Sequence, residues 1–367
     1  MAKLPSNVLQ FAAGDNDLKN LFVEMQDYWN HYRSENGTKK FAYEGGLSLV
    51  EKENQLNDHL IREIGKRANV DFTSAPIEQF MNHPMVAWAA NMIVGQLIDA
   101  VLPDTIIDSI GAYSEVRVLG LGESGVFDIN SRDLFPVSRS GRLGMREAEM
   151  HKGFQGQVVL NPEFRTMTVS SSLFRVLTGQ ESLASFAVKA MRSLETEMTK
   201  DVYDVFAAAM LALSTTATTG LRETGFTQAG MLKLADKVSS FNGGAAPILL
   251  GTRVALGQVF PDDANYRYDI ESPMVKLGYV RQISGITCIE MPQVANWSSP
   301  FATYLATDKL YLVAPGVDKI VKVVIGGSTM SNTPGAFDTA TLTQNTTFYK
   351  GWKAAVLTSA VGGCITL

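Results

Sequence analysis

The sequence is poor in the residues from which metal and nucleophile sites are most often built. It holds two cysteines and four histidines in 367 residues. Cys288 and Cys364 are too few for a disulfide framework. His31, His59, His83 and His151 stand far apart in the chain and make no paired metal-ligand spacing, so metal ligation has no starting point. A nucleophile elbow and a phosphate loop are also missing. Charge is scarce, at 19% of residues against about 25% in an average soluble domain. Its net value is -5, without the basic excess of a dedicated nucleic-acid binder. Low charge is typical of surfaces that end up in subunit contacts. The opening Met1-Ala2-Lys3 has no signal-peptide pattern, which gives a reducing cytoplasm as the expected place of synthesis.

Long hydrophobic runs are scarce as well. The one that could be mistaken for a membrane span, Met85 to Leu102, contains Asn91, Gln96 and Asp99 and lies between Pro84 and Pro103. Three polar side chains at bilayer depth are costly, so the stretch reads as a core helix of a soluble protein. No membrane partner is expected.

What is present is an ordered change of texture. Residues 1–112 read as mostly helical, with Leu49, Leu56, Leu60, Ile61 and Ile64 on a stripe near the helical repeat between Leu47 and Ala68. Short helices are expected over Ala75 to His83 and Asp104 to Ile110, and Asn36 to Lys40 reads as a polar loop or arm. Residues 113–178 read as a long two-stranded excursion. Its middle is polar and carries Arg132, Arg139, Arg142, Arg146, Glu147, Glu149 and Lys152.

The clearest signal follows. Thr178-Gly-Gln-Glu181 has the form of a capping box. Behind it Leu183, Ala187, Leu194, Met198, Val202 and Phe206 repeat at helical spacing, uninterrupted by Gly or Pro as far as Leu213. A helix of that length needs support from neighbours along its course. Further on, Thr227 to Phe241 reads as an amphipathic helix and Pro247 to Leu250 as a buried strand, with Thr252 capping the next helix. Tyr279 to Met291 reads as a hairpin around Ser284-Gly285. Lys309 to Val313, Lys319 to Ile325 and Trp352 to Leu367 read as strands. The class is α+β.

Gly120-Leu-Gly122-Glu-Ser-Gly125 is a literal dinucleotide fingerprint behind a strand-like Val116 to Leu119. Such glycines open a helix in dinucleotide folds, whereas Val126 to Pro136 does not read as one. A glycine-rich strand turn is the stronger reading, and no cofactor is expected.

Four segments carry a family resemblance: Tyr113 to Phe135 with its Gly-Glu-Ser-Gly-Val-Phe-Asp-Ile run; Arg165 to Leu211; Pro247-Ile-Leu-Leu-Gly-Thr-Arg-Val-Ala; and Gly278 to Glu290 followed by Asp308 to Gly316. In this order they resemble the Hong Kong 97 fold of tailed-bacteriophage major capsid proteins. The resemblance implies an α+β capsid fold with a helical N-terminal arm region (1–112), an extended β-hairpin loop (113–178), a long spine helix in a peripheral domain (179–222), an α/β axial domain (223–305) and C-terminal strands returning to both domains (306–367). It implies a non-enzymatic shell protein, made and assembled in the host cytoplasm and located in the virion capsid. Hexamers and pentamers of it would form an icosahedral shell around packaged double-stranded DNA. Its partners would be copies of itself, with scaffold, portal and decoration proteins, and only non-specific proximity to DNA. Arg139, Arg142, Arg146, Glu147, Glu149 and Lys152 are the expected intersubunit contacts. Two alternatives stand beside this reading: an encapsulin-like nanocompartment shell, which shares the fold, and a dinucleotide-binding oxidoreductase built on the glycine triplet.

Overall fold

The computed structural model describes residues 4–36, 40–72, 84–120, 122–130, 155–171, 182–214, 220–259, 278–296, 299, 301–332 and 344–367. The N-terminal part is a helical layer made of α1 (Ser6–Phe11), α2 (Asn16–Asn36), α3 (Leu49–Ala68) and α4 (Pro84–Ile110). A capping box starts α3. Glu51 N–H donates to Ser48 Oγ, and the Glu51 carboxylate accepts from the Ser48 amide at 2.8 Å. Asn69 ends it in the left-handed region, at φ 55°.

Pro103 lies inside α4, so Asp104 to Ile110 continues that helix and does not form a separate one. An interior proline costs about 3 kcal/mol in an isolated helix. Here α4 is largely buried, and packing offsets that loss. The helix is a core helix, as its polar residues require.

Residues 1–112 do not behave as a free arm. Leu21, Phe22, Met25, Leu60, Ile93 and Leu97 share one core with Ala187, Met198 and Phe206 further along the chain. Each N-terminal helix carries an apolar face too wide to leave in water, and the faces meet here.

The long helix α5 runs Leu183–Ser214, 32 residues, or about 48 Å. Its N-cap is Ser182, whose Oγ accepts from the Ser185 amide at 3.2 Å. The helix therefore begins later than the Thr178 box proposes, and Thr178 itself lies outside the described residues.

Beneath the helices is a five-stranded sheet. Strand β1 (Ser114–Leu119) pairs parallel with β12 (Val321–Gly326), which pairs antiparallel with β14 (Gln344–Val356). Both β13 (Met330–Asn332) and β4 (Glu163–Ser171) also pair antiparallel with β14. Strands β1 and β4, expected in the excursion, thus belong to this sheet, because Val116 and Met167 pack on the first core. Strands β2 (Gly125–Asn130) and β3 (Gln155–Leu160) form a separate antiparallel ribbon.

The second sheet has the order β5 (Arg222–Thr224), β15 (Gly363–Thr366), β11 (Lys309–Val313), β6 (Ile248–Gly251), β8 (Ile286–Glu290), β7 (Gln282–Ile283). With α6 (Gln228–Phe241) and α7 (Arg253–Leu256), capped by Thr227 and Thr252, it encloses its own core. Ser284 and Gly285 turn β7 into β8 with φ of 49° and 83°. Trp352 to Leu367 is not one strand. Strand β14 ends at Val356 in the first sheet, and β15 resumes at Gly363 in the second. A Cβ on Gly363 would meet Leu234 at 2.8 Å, so only glycine lets the strand approach α6 this closely. Small ribbon strands β9 (Ala295–Asn296) and β10 (Ala302–Thr303) pair with each other. Cys288 and Cys364 are buried free thiols.

Candidate assembly elements and the root of the hairpin

The ribbon β2–β3 leaves the molecule from a small core of its own. Phe127 and Leu160 lie beside Leu119 and Val324, separate from the two larger cores. Alternation then puts Val126 and Val159, a directly opposed cross-strand pair, on the outer face, where they are 39% and 54% exposed.

The glycine triplet finds its explanation at this point. Gly122 takes φ 82° in the turn between β1 and β2. The Gly120 amide donates to the Glu123 carboxylate at 2.8 Å. A Cβ on Gly125 would stand 2.6 Å from Val324, so glycine is needed for the ribbon to lie against β12. The residues after Gly125 form a strand and not a helix, which removes the pyrophosphate site a dinucleotide fold requires.

Charge surrounds the same root. Arg117 holds its guanidinium 4.3 Å from the centre of the Phe127 ring and donates to the Val126 carbonyl. Lys322, almost fully buried, brings its ammonium to 6.0 Å from that ring. Glu115 joins both cations, at 2.8 Å from Arg117 and 2.7 Å from Lys322, and Asp318 takes Lys322 at 2.5 Å. Burial pushes the Glu115 carboxyl up, but hydrogen bonds from Lys322 and Arg117 outweigh it and hold it below its ordinary value.

All six spine residues singled out from the sequence are buried: Leu183, Ala187, Leu194, Met198, Val202 and Phe206. Phe206 contacts Tyr113 with ring centres 4.7 Å apart and Tyr311 at 5.0 Å, tying the helix to the turn before β1 and to β11 of the second sheet. Arg139, Arg142, Arg146, Glu147, Glu149 and Lys152 all lie outside the described residues. His31 pairs with Glu35 and stacks on Tyr43, and His59 pairs with Glu24. His83 and His151 lie outside the described residues. Among the described residues no His, Cys, Asp and Glu cluster could hold a metal ion.

Sequence reasoning missed the lock between α4 and the sheet. Asp99 accepts from the Thr329 amide at 2.7 Å, from the Thr329 hydroxyl at 2.5 Å and from Lys350 at 2.5 Å. The available signal was Asp99 within the apolar run Met85 to Leu102, since buried charges are normally paired.

Over residues 17–366 the chain matches the model of the family described as "SPbeta prophage-derived putative capsid protein YonB". It belongs to that capsid-protein family. No curated protein matches the chain. Solved structures similar to this capsid protein include the asymmetric unit of the bacteriophage PhiM1 mature capsid, at 10% identity and a TM-score of 0.44, covering 70% of this chain and 86% of that one. Another, from Mycobacterium phage Cain, has 12% identity and a TM-score of 0.45 over 71% and 89% of the two chains. The capsid of a native GTA particle has 10% identity and a TM-score of 0.46 over 73% and 91%. Likeness this distant transfers no residue roles. The capsid protein itself has the element order that its Hong Kong 97 resemblance implied: N-terminal helices, hairpin, spine helix, α/β sheet and returning strands.

Proposed function

We propose that this capsid protein assembles into hexamers and pentamers that close as an icosahedral shell around packaged double-stranded DNA. The family match over nearly the whole chain carries the reading. The hairpin root supports it, because the ribbon presents Val126 and Val159 on its outer face and continues into a polar, charged segment. We take Arg139, Arg142, Arg146, Glu147, Glu149 and Lys152 as the part of the hairpin that lies across the neighbouring subunit. In this division, 179–222 is the spine of a peripheral domain, and 223–305 with strands from 306–367 forms the axial domain. Residues 1–112 stay in the shell, because their removal would strip the first core. A net charge of -5 suits a wall that must not bind its contents. Its role is structural, its place the virion capsid, and its assembly site the host cytoplasm.

Sedimentation of purified protein, with and without a scaffold partner, followed by negative-stain microscopy, tests the proposal. Closed shells, tubes or capsomers are expected. A well-folded monomer at every concentration and with every partner overturns it. Particles filled with cargo protein in place of DNA would favour the nanocompartment.

A further inference from the structure

We propose that Phe127, held by Arg117 and Lys322, is the positioning residue that sets the direction in which the hairpin leaves the subunit. The inference rests on the shell reading only for its consequence, that hairpin direction controls assembly. Three observations carry it. First, Phe127 is 1% exposed yet belongs to neither large core; its neighbours are Leu119, Leu160 and Val324. The ribbon is thus seated on the sheet by a small core separate from the two large ones.

Second, that seat is shaped to one approach. Gly125 allows the ribbon to touch Val324, and the Arg117 guanidinium grips the Val126 carbonyl beside it. Third, the two cations near the ring are themselves fixed. Lys322 is anchored by Glu115 and Asp318, and Arg117 by Glu115. Cations over an aromatic face add attraction that depends on ring position, unlike plain apolar contact. A ribbon of two strands is only marginally stable alone, so its orientation follows from this seat.

The test places spin labels at Val159→Cys on the ribbon and Ser193→Cys on the spine helix, both exposed, in unassembled protein. Wild-type Phe127 should give one narrow distance distribution. Phe127→Ala should broaden it, and Phe127→Leu, which keeps apolar volume without a ring face, should fall between. The main melting transition should stay near that of the wild type, while regular particles are lost or become heterogeneous. An unchanged distribution in Phe127→Ala overturns the proposal. So does a broadened distribution with normal particles, or a large loss of overall stability, which would make the role merely structural. If wild-type protein forms no particles at all, the shell reading fails, and the distance measurement still decides whether Phe127 directs the ribbon.

Discussion

Asp99 and Lys350 are separated by 251 residues in sequence and meet at 2.5 Å with both side chains closed to solvent. Their pairing joins the N-terminal helical layer to the central strand of the first sheet. Taking away one partner leaves the other buried and unpaired, which typically costs about 3–5 kcal/mol. Asp99→Ala and Lys350→Met should each lower the urea midpoint accordingly, while the double change Asp99→Leu with Lys350→Met should recover much of the loss. Single variants within about 1 kcal/mol of wild type would show that the pair does not hold the layers together.

Leu194→Asp places a carboxylate in the buried stripe of the spine helix. The penalty of several kcal/mol is a large share of the roughly 5–15 kcal/mol that a domain has in total. Soluble protein should not accumulate. Leu194→Met, close in volume, should cost less than about 1.5 kcal/mol. Normal expression and normal particles from the aspartate variant would mean that this face of the helix is not core.

Glu195 gives the pH dependence its sign. Burial raises its carboxyl above the ordinary range, against a hydrogen bond from Ser109 and the charges of Arg33 and Arg192. The folded state then holds this proton more tightly than the unfolded chain does. Its contribution to stability is fully present below the unfolded value and is lost as pH rises through the folded one. Glu195→Gln should therefore raise the melting temperature at neutral pH, and the gain should vanish in acid. Equal melting of the two proteins at all pH values would contradict this.

The hairpin arginines separate surface decoration from subunit contact. Replacing Arg139, Arg142 and Arg146 together by Ser should leave the melting temperature of unassembled protein nearly unchanged, since isolated surface charges contribute about 0–1 kcal/mol each. Particle yield should fall, because each lost contact repeats around the shell, and wild-type assembly should itself weaken with salt. Unchanged yield across a salt series would return these residues to a solvated loop.

Sequence by itself determined the spine helix, the amphipathic helix ending at Phe241, the helix cap at Thr252, the Ser284-Gly285 turn and the α+β class. Each is written in neighbouring residues: a repeat of three or four, a hydroxyl before a helix, a polar residue and a glycine between strands. It also gave the glycine triplet as a strand turn, because the residues after Gly125 do not read as a helix. What only the tertiary structure decided is where distant segments meet. Pro103 reads as a helix end, and the packing of α4 in the core overrides it. Trp352 to Leu367 reads as one apolar strand, and the fold divides it between two sheets, with Gly363 packed close against Leu234 in the second. Residues 1–112 read as an arm, and only the meeting of their apolar faces with the spine makes them a layer of the core. Phe127 with Lys322, and Asp99 with Lys350, come from segments some two hundred residues apart or more. Local pattern shows that each charge or ring must find a partner, because burial without one is too costly, but which partner it finds is fixed by the fold alone.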